Sequence, residues 1–408
     1  MSPSSQSSPR SSWRSPTIII IAGCLISMIG FGVRSSFGFF MEPISVGNGW
    51  GRDVFSLAMA IQNIMWGIGV FIAGAIADRR GPIMVLVCGS LLYAVGIYGM
   101  SIADSPALLQ ITGGLLTGLG VAFTAFSLVI AVMARVVSPT RRTLVMGLGT
   151  AAGSAGQVIF APISQGYIQT FGWVATLWML AAITLLIIPL TMCLPRNQAI
   201  DPNADKQSLG EALTEALRHR GFVLLTIGFF VCGFHVAFIG VHLPVYVTDL
   251  GLSAGTAAMA MSIIGLCNIL GAVGAGVYGQ RYSMKNGLSL LYFLRAVAIL
   301  GLILAPKTEL TILVFSVCMG FLWLSTVPLT TAIVGQVFGV RYLATLFGFV
   351  FLSHQLGSFA GIYLGGYLFD VFGSYDPVWW AGVALGVAAA VIHLPINEQP
   401  LKRLQPAQ

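Results

Sequence analysis

Residues 53–102 read DVFSLAMAIQNIMWGIGVFIAGAIADRRGPIMVLVCGSLLYAVGIYGMSI, two apolar runs joined by a short charged turn, Asp78-Arg79-Arg80-Gly81-Pro82. Each run, 53–77 and 82–102, reaches the ~20 residues that a helix needs to cross a bilayer. Neither alternates as a barrel strand would. Backbone groups in lipid must find partners within their own segment, so the stretch predicts two successive membrane helices. The turn between them keeps its charges in water.

Ten further runs of the same kind follow in both directions: 17–41, 106–134, 142–168, 172–194, 221–248, 253–279, 286–305, 308–337, 342–369 and 377–395. The expected fold is therefore an all-α membrane protein of twelve transmembrane helices. The composition agrees: 57% of the 408 residues are hydrophobic and 8% charged, where an average soluble domain carries roughly a quarter charged. The 49 glycines suit helices that pack closely in lipid. The run 17–41 is too long for the apolar core of a secretory signal, roughly 7–15 residues. The six cysteines all fall in or at the ends of apolar runs, none at metal-ligand spacing, and read as packing residues.

The net charge of +7 is spread over short loops, with no basic helix or aromatic platform, so no nucleic-acid partner is expected. Arg52 and Lys307 lie on one side of the membrane and Arg34 and Arg295 inside spans; the remaining sixteen Lys and Arg fall on the other side. That asymmetry places both termini in the cytoplasm. The expected organisation is a disordered cytoplasmic N-terminus (1–16), a six-helix bundle (17–194), a cytoplasmic linker (195–220), a second six-helix bundle (221–395) and a cytoplasmic tail (396–408). Within the linker, Leu209, Ala212, Leu213, Ala216 and Leu217 are three or four apart, the pattern of an interfacial amphipathic helix. The halves repeat at an offset near 200: Ala58-Met59-Ala60 and Ala258-Met259-Ala260, Phe171-Gly172 and Phe372-Gly373. Parallel repeats of this kind are built around a midplane site.

The stretch Gly74-Ala-Ile-Ala-Asp78-Arg79-Arg80-Gly81-Pro82 resembles the G-x-x-x-D-R-x-G-[RP] signature of the major facilitator superfamily. Span count, central loop and repeat extend the resemblance to the whole chain. It implies two pseudo-symmetric bundles that rock about a central cavity, with Gly74, Asp78, Arg79, Arg80 and Gly81 as a gating motif. The same residues also serve topology, Arg79 and Arg80 as cytoplasmic anchors. The second-half counterpart, Gly276-Val-Tyr-Gly-Gln280-Arg281, has Gln280 in place of the acid.

Arg34 stands inside the first run, roughly 10 Å from its outer end at 1.5 Å per residue. All thirteen acids lie in loops or at span ends, so Arg34 has no partner at its depth. A guanidinium grips a carboxylate through two parallel hydrogen bonds, which points to an anionic ligand. The alternative is that Arg34 snorkels outward to Glu42 or Asp53. Residues 30–82, with Arg34-Ser-Ser-Phe37-Gly38-Phe39-Phe40 and Gly49-Trp50-Gly-Arg52-Asp53, further resemble bacterial members of the monocarboxylate and oxalate:formate transporter group. That resemblance implies small organic anions as cargo. Span eight, 253–279, departs from it in carrying no charge.

Further candidates for the binding site are His235 and His242, seven residues apart on one face of span seven, and His354 in span eleven. Histidine titrates near neutral pH, so each could carry a coupling proton, contact the anion, or simply bridge helices. Gln157 and Asn268 complete the expected set, among inward polar residues that include Gln62, Asn63, Thr124, Thr330 and Gln355. Arg295, in span nine, reads as an interhelical or snorkelling contact.

These readings converge on a secondary transporter of small carboxylates in the inner membrane, working as a monomer by alternating access. Protons or a second anion would supply the energy; no cofactor, metal or enzymatic motif stands out. Two alternatives stay open. One is an exporter of drugs or apolar solutes, although Gly114 occupies the place where proton-driven exporters carry an arginine. The other is a non-transporting sensor.

Overall fold

A computed structural model describes residues 15–137, 142–195, 209–339 and 342–401. The side chains at 78, 79, 126, 127, 131, 134, 135, 142–144, 146, 209 and 344 are outside that description, and so are nearly all of the N-terminal segment 1–16, linker residues 196–208 and tail residues 402–408.

Eleven helices among the described residues are long and apolar enough to cross a membrane, and the longest, Gly147–Thr191, is two spans. Its backbone leaves helical geometry at Gly172, φ 82° and ψ 166°. Only glycine takes that conformation without strain. Beyond it the chain runs back: Trp178 Nε1 donates to Ser101 Oγ at the end of the third span, and Ser90 Oγ, near that span's middle, donates to the Thr184 carbonyl. The corresponding place in the second half, Gly373, also has positive φ, 67°. The chain therefore makes twelve passes, two pseudo-symmetric six-helix bundles.

Span 1 is Pro16–Asn48, span 2 Arg52–Arg80, span 3 Pro82–Ser101, span 4 runs from Pro106 to Arg135, span 5 is 142–171 and span 6 is 173–191. A ten-residue amphipathic helix, Leu209–Arg218, precedes span 7, Arg220–Asp249. Ala212 and Ala216 of that helix are buried and Leu217 is exposed. Spans 8 to 12 are Ala254–Arg281, Met284–Leu304, Glu309–Phe338, Leu343–Phe372 and Asp376–His393.

Local sequence sets the ends. Ser15 caps span 1 by accepting from Ile18 N–H, with Pro16 in the first turn, where a missing N–H costs nothing. Ser253 caps span 8 through Thr256 N–H at 3.0 Å. Gly81, φ 85°, makes the turn of the charged signature and Pro82 opens span 3. Large apolar side chains outside the core stay uncovered, among them Leu304 at 70% and Leu310 at 71% exposure, the belt that a lipid-facing surface requires.

Several spans differ from the unbroken helices expected, span 6 by a one-residue interruption at Leu186. Span 1 tightens at Phe37–Phe40 into a single 3-10 turn and continues to Asn48, ending on Gly49 in the left-handed region. Span 4 widens into a π-helical stretch at Gln110–Leu116, and its displaced carbonyls find other donors: Thr117 Oγ1 on Thr112 at 2.7 Å, Gln62 Nε2 on Gly113 at 3.2 Å. Span 10 breaks between Leu322 and Thr326. Arg295, fully buried in span 9, closes that break, with Nε and Nη2 donating to the Leu322 carbonyl and Nη2 also to that of Trp323.

Candidate functional site

The halves meet where span 2 packs on span 11 and span 5 on span 8. Between them lies a cavity of about 40 Å³, walled by spans 1, 2, 5, 7, 8 and 10. At roughly 10–15 Å³ per water it has room for about three waters. Its polar edge is Arg34, Ser35, Gln62, Asn63 and Gln157; its apolar walls include Val236, Val241, Met261 and Trp323.

Arg34 stands one turn before the tightening of span 1. Ser35 and Ser36 both turn their hydroxyls back to the Gly32 carbonyl, at 2.7 and 3.3 Å, which satisfies a group the break would leave free. The Arg34 Nη2 donates to Asn63 Oδ1 at 2.7 Å. The guanidinium carbon lies 4.5 Å from the centre of the Trp66 ring. Its Nε is buried without a hydrogen-bond partner. Among the described residues no carboxylate lies within ion-pair distance of it; an ion pair elsewhere joins Arg52 to Asp249. Glu42 and Asp53, the acids of the snorkelling alternative, bond elsewhere: Glu42 accepts from Thr248, and Asp53 accepts from Val54 N–H.

Of the other expected site residues, Gln157 shares the cavity and donates across the halves to the Met261 carbonyl at 3.1 Å. Asn268 does not line it. Its Nδ2 donates to Ser154 Oγ of the opposite half, and its Oδ1 accepts from Leu324 N–H in the span 10 break.

The histidines correct the expectation that they face the cavity. His235 is buried against span 12, with Nε2 2.8 Å from the Gly382 carbonyl. His242 lies between the Ile362 carbonyl, 2.9 Å from Nε2, and the Tyr375 hydroxyl, 3.2 Å from Nδ1. A carbonyl only accepts, so Nε2 carries the proton and Nδ1 accepts from the tyrosine. His354 bonds Gln355 through Nδ1 at 3.0 Å and stacks on Phe351. Phe351 meets Trp66 edge-on, so two aromatic rings separate His354 from Arg34. The face of span 7 that carries both histidines is the one spans 11 and 12 cover.

Trp66 is the site residue that sequence reasoning missed. The signal was its spacing: Met59, Asn63 and Trp66, four and then three apart, share one face of span 2. In the signature turn, Gly74 and Arg80 end span 2 and Gly81 turns the chain; the Asp78 and Arg79 side chains lie outside the described residues.

At the face opposite the termini, the halves are tied together. Arg52 Nη1 and Nη2 donate to the two Asp249 oxygens at 2.5 and 2.7 Å, and Nη1 also to the Tyr375 hydroxyl at 3.0 Å. Asp370, at the end of span 11, accepts from the Arg52 and Asp53 N–H groups that open span 2, at 3.2 and 2.7 Å.

Residues 23–362 match the family model of the Major Facilitator Superfamily. The chain belongs to this superfamily. Its fold is similar to that of a bacterial homolog of the human lysosomal transporter Spinster, in an inward-facing and unoccupied conformation, with TM-score 0.73, 14% identity and coverage of 94% of this chain and 95% of that one. Monocarboxylate transporter 13 of Rattus norvegicus is 26% identical over 365 residues, 88% of this chain and 83% of the relative. YcxA of Bacillus subtilis (strain 168), named as an uncharacterized MFS-type transporter, is 24% identical over 409 residues, 95% of this chain and 96% of the relative. This superfamily member is a multi-pass membrane transport protein. Its cavity joins both halves at their interface, where a rocking motion would expose it to each side in turn.

Proposed function

We propose that the chain carries small organic anions of the monocarboxylate class across the inner membrane by alternating access, with Arg34 as the group that engages the carboxylate. The observation that carries this reading is the Arg34 guanidinium, turned to the central cavity, with no acid among the described residues at ion-pair distance and a buried Nε that lacks a partner. A buried cation in such a place calls for an anion, and a carboxylate matches its fork geometry. The relatives named as monocarboxylate transporters support the same substrate class.

In this mechanism Arg34 attracts the anion, and the apolar walls on spans 7, 8 and 10 close over its tail. The Arg52 cluster holds the far face shut while cargo exchanges at the other. The bias of Lys and Arg makes that other face, and both termini, cytoplasmic. The Gly74, Asp78, Arg79, Arg80 and Gly81 motif is assigned to the opposite half of the cycle. A proton gradient or a counter-exchanged anion drives the cycle, and the monomer is the working unit.

The test is uptake of lactate, pyruvate, oxalate, formate and an aromatic acid into proteoliposomes, with and without a pH gradient. Arg34→Ala is expected to lower carboxylate uptake at least tenfold. Unchanged uptake, with apolar solutes carried instead, would assign the chain to drug export. No transport of any solute by the wild type would favour a sensor.

A further inference from the structure

An arginine inside a membrane span ordinarily pairs with an acid or, as Arg295 does here, with backbone carbonyls. Arg34 has found an asparagine. Asn63 is 2% exposed, and its orientation is fixed: Nδ2 donates to the Met59 carbonyl one turn earlier at 2.9 Å, which leaves Oδ1 to accept from Arg34 Nη2 at 2.7 Å. One turn later the Trp66 ring lies under the guanidinium, 4.5 Å from its carbon. The fork is thus held at an end by an amide and against a ring, both from span 2, while the span 7 wall across the cavity includes Val236, Ala237 and Val241. An aspartate would fill the same space and accept the same hydrogen bond. It would also cancel the charge that draws an anion in.

We propose that Asn63 is the positioning residue of the anion site: its neutral oxygen aims Arg34 into the cavity and leaves its charge for the cargo. This rests on the assignment of Arg34 to carboxylate binding. Neutrality at position 63 is then a condition for transport, separate from shape and from the hydrogen bond.

The experiment measures concentration-dependent uptake of whichever acid of the panel (lactate, pyruvate, oxalate or formate) the wild type carries best. Full-length wild type, Asn63→Asp, Asn63→Leu, Asn63→Gln and Arg34→Ala are compared in proteoliposomes, each checked for monodispersity and melting temperature. Asn63→Asp is expected to raise KM at least tenfold, more than Asn63→Leu, while melting no lower than wild type. Asn63→Gln, which keeps a neutral acceptor, should raise KM less than Asn63→Leu. A purely structural role reverses the first order, because the aspartate keeps the shape and the bond from Arg34 and loses only the donor to the Met59 carbonyl, whereas leucine loses both bonds. An Asn63→Asp protein with KM within twofold of wild type, or a Gln variant no better than Leu, overturns the proposal. If Arg34→Ala keeps the wild-type KM, the reading of Arg34 itself fails; if Arg34→Ala is defective and Asn63→Asp is normal, only the role of Asn63 does.

Discussion

Arg52 and Asp249 meet as a two-pronged ion pair across the boundary between the halves, Nη1 to Oδ2 at 2.5 Å and Nη2 to Oδ1 at 2.7 Å. The guanidinium also sits over Phe369, 3.9 Å from the ring centre, so one side chain of the first half touches spans 7 and 11 of the second and Tyr375, which caps span 12. Such a contact exists in only one arrangement of two rocking bodies. It must break each time the far face opens, and it therefore contributes to which state is populated.

Removing it should favour the state open at the face opposite the termini. The pair is partly exposed, with side-chain exposures of 14% and 28%, so its contribution is about 1 kcal/mol, roughly a fivefold change in the ratio of states. Spin labels at Gly47 and Ser374, read by pulsed dipolar distances, should show the long-distance population rising in Arg52→Gln. High salt should move the wild type the same way and leave Arg52→Gln nearly unaffected, because screening acts on the charges that the variant lacks.

Gly38 offers a second handle on the same equilibrium, through sterics. It lies in the 3-10 turn of span 1, where a Cβ would stand 2.8 Å from the carbonyl oxygens of both Gly240 and Val241 on span 7. Backbone cannot yield as a flexible side chain does, so Gly38→Ala should wedge the halves apart. The labels at Gly47 and Ser374 should report opening as in Arg52→Gln, and this effect should be insensitive to salt. A variant with wild-type distances would mean that the turn can shift without disturbing the interface.

Arg295 should prove a stability residue. Its removal leaves the Leu322 and Trp323 carbonyls of the span 10 break without their donors. Hydrogen bonds to a charged group are worth about 1.5–3 kcal/mol each, and a buried orphan carbonyl costs a similar amount. Arg295→Met should therefore lose about 3 kcal/mol, seen as a lower melting temperature in detergent. Arg295→Lys should recover part of it, since an ammonium reaches the carbonyls but lacks the fork. A melting temperature within a degree of wild type in Arg295→Met would remove Arg295 from this role.

The twelve passes were legible because lipid demands long apolar runs, and because Phe171-Gly172 and Phe372-Gly373 marked the same turn in each half. The breaks in spans 1, 4 and 10 were not. They depend on partners far away in sequence, such as Arg295 for the Leu322 carbonyl and Gln62 for that of Gly113. At the site, Arg34 was conspicuous because an arginine without a nearby acid is visible from composition and spacing alone. Its cover by Trp66 and the rotation of span 7, which turns His235 and His242 away from the cavity, are properties of packing. Seven-residue spacing showed that the two histidines share a face, and it carried no information about which neighbour that face would meet.

His235 and His242 each hold a backbone carbonyl through Nε2, of Gly382 and Ile362, and His354 is paired with Gln355 two rings away from Arg34. A coupling proton carried on any of them would have to enter a buried helix interface in every cycle. His235→Gln and His242→Gln, which keep a side-chain donor for the carbonyl, should therefore retain uptake within about twofold and leave its dependence on a pH gradient unchanged. Ala at the same positions should lower the melting temperature by orphaning the carbonyl, at a cost of about 1–3 kcal/mol, again without altering the pH profile. The measurement is initial uptake across a series of internal and external pH values. Loss of gradient-driven accumulation in a Gln variant that still exchanges its substrate would return the proton to that histidine, and would require span 7 to turn during the cycle.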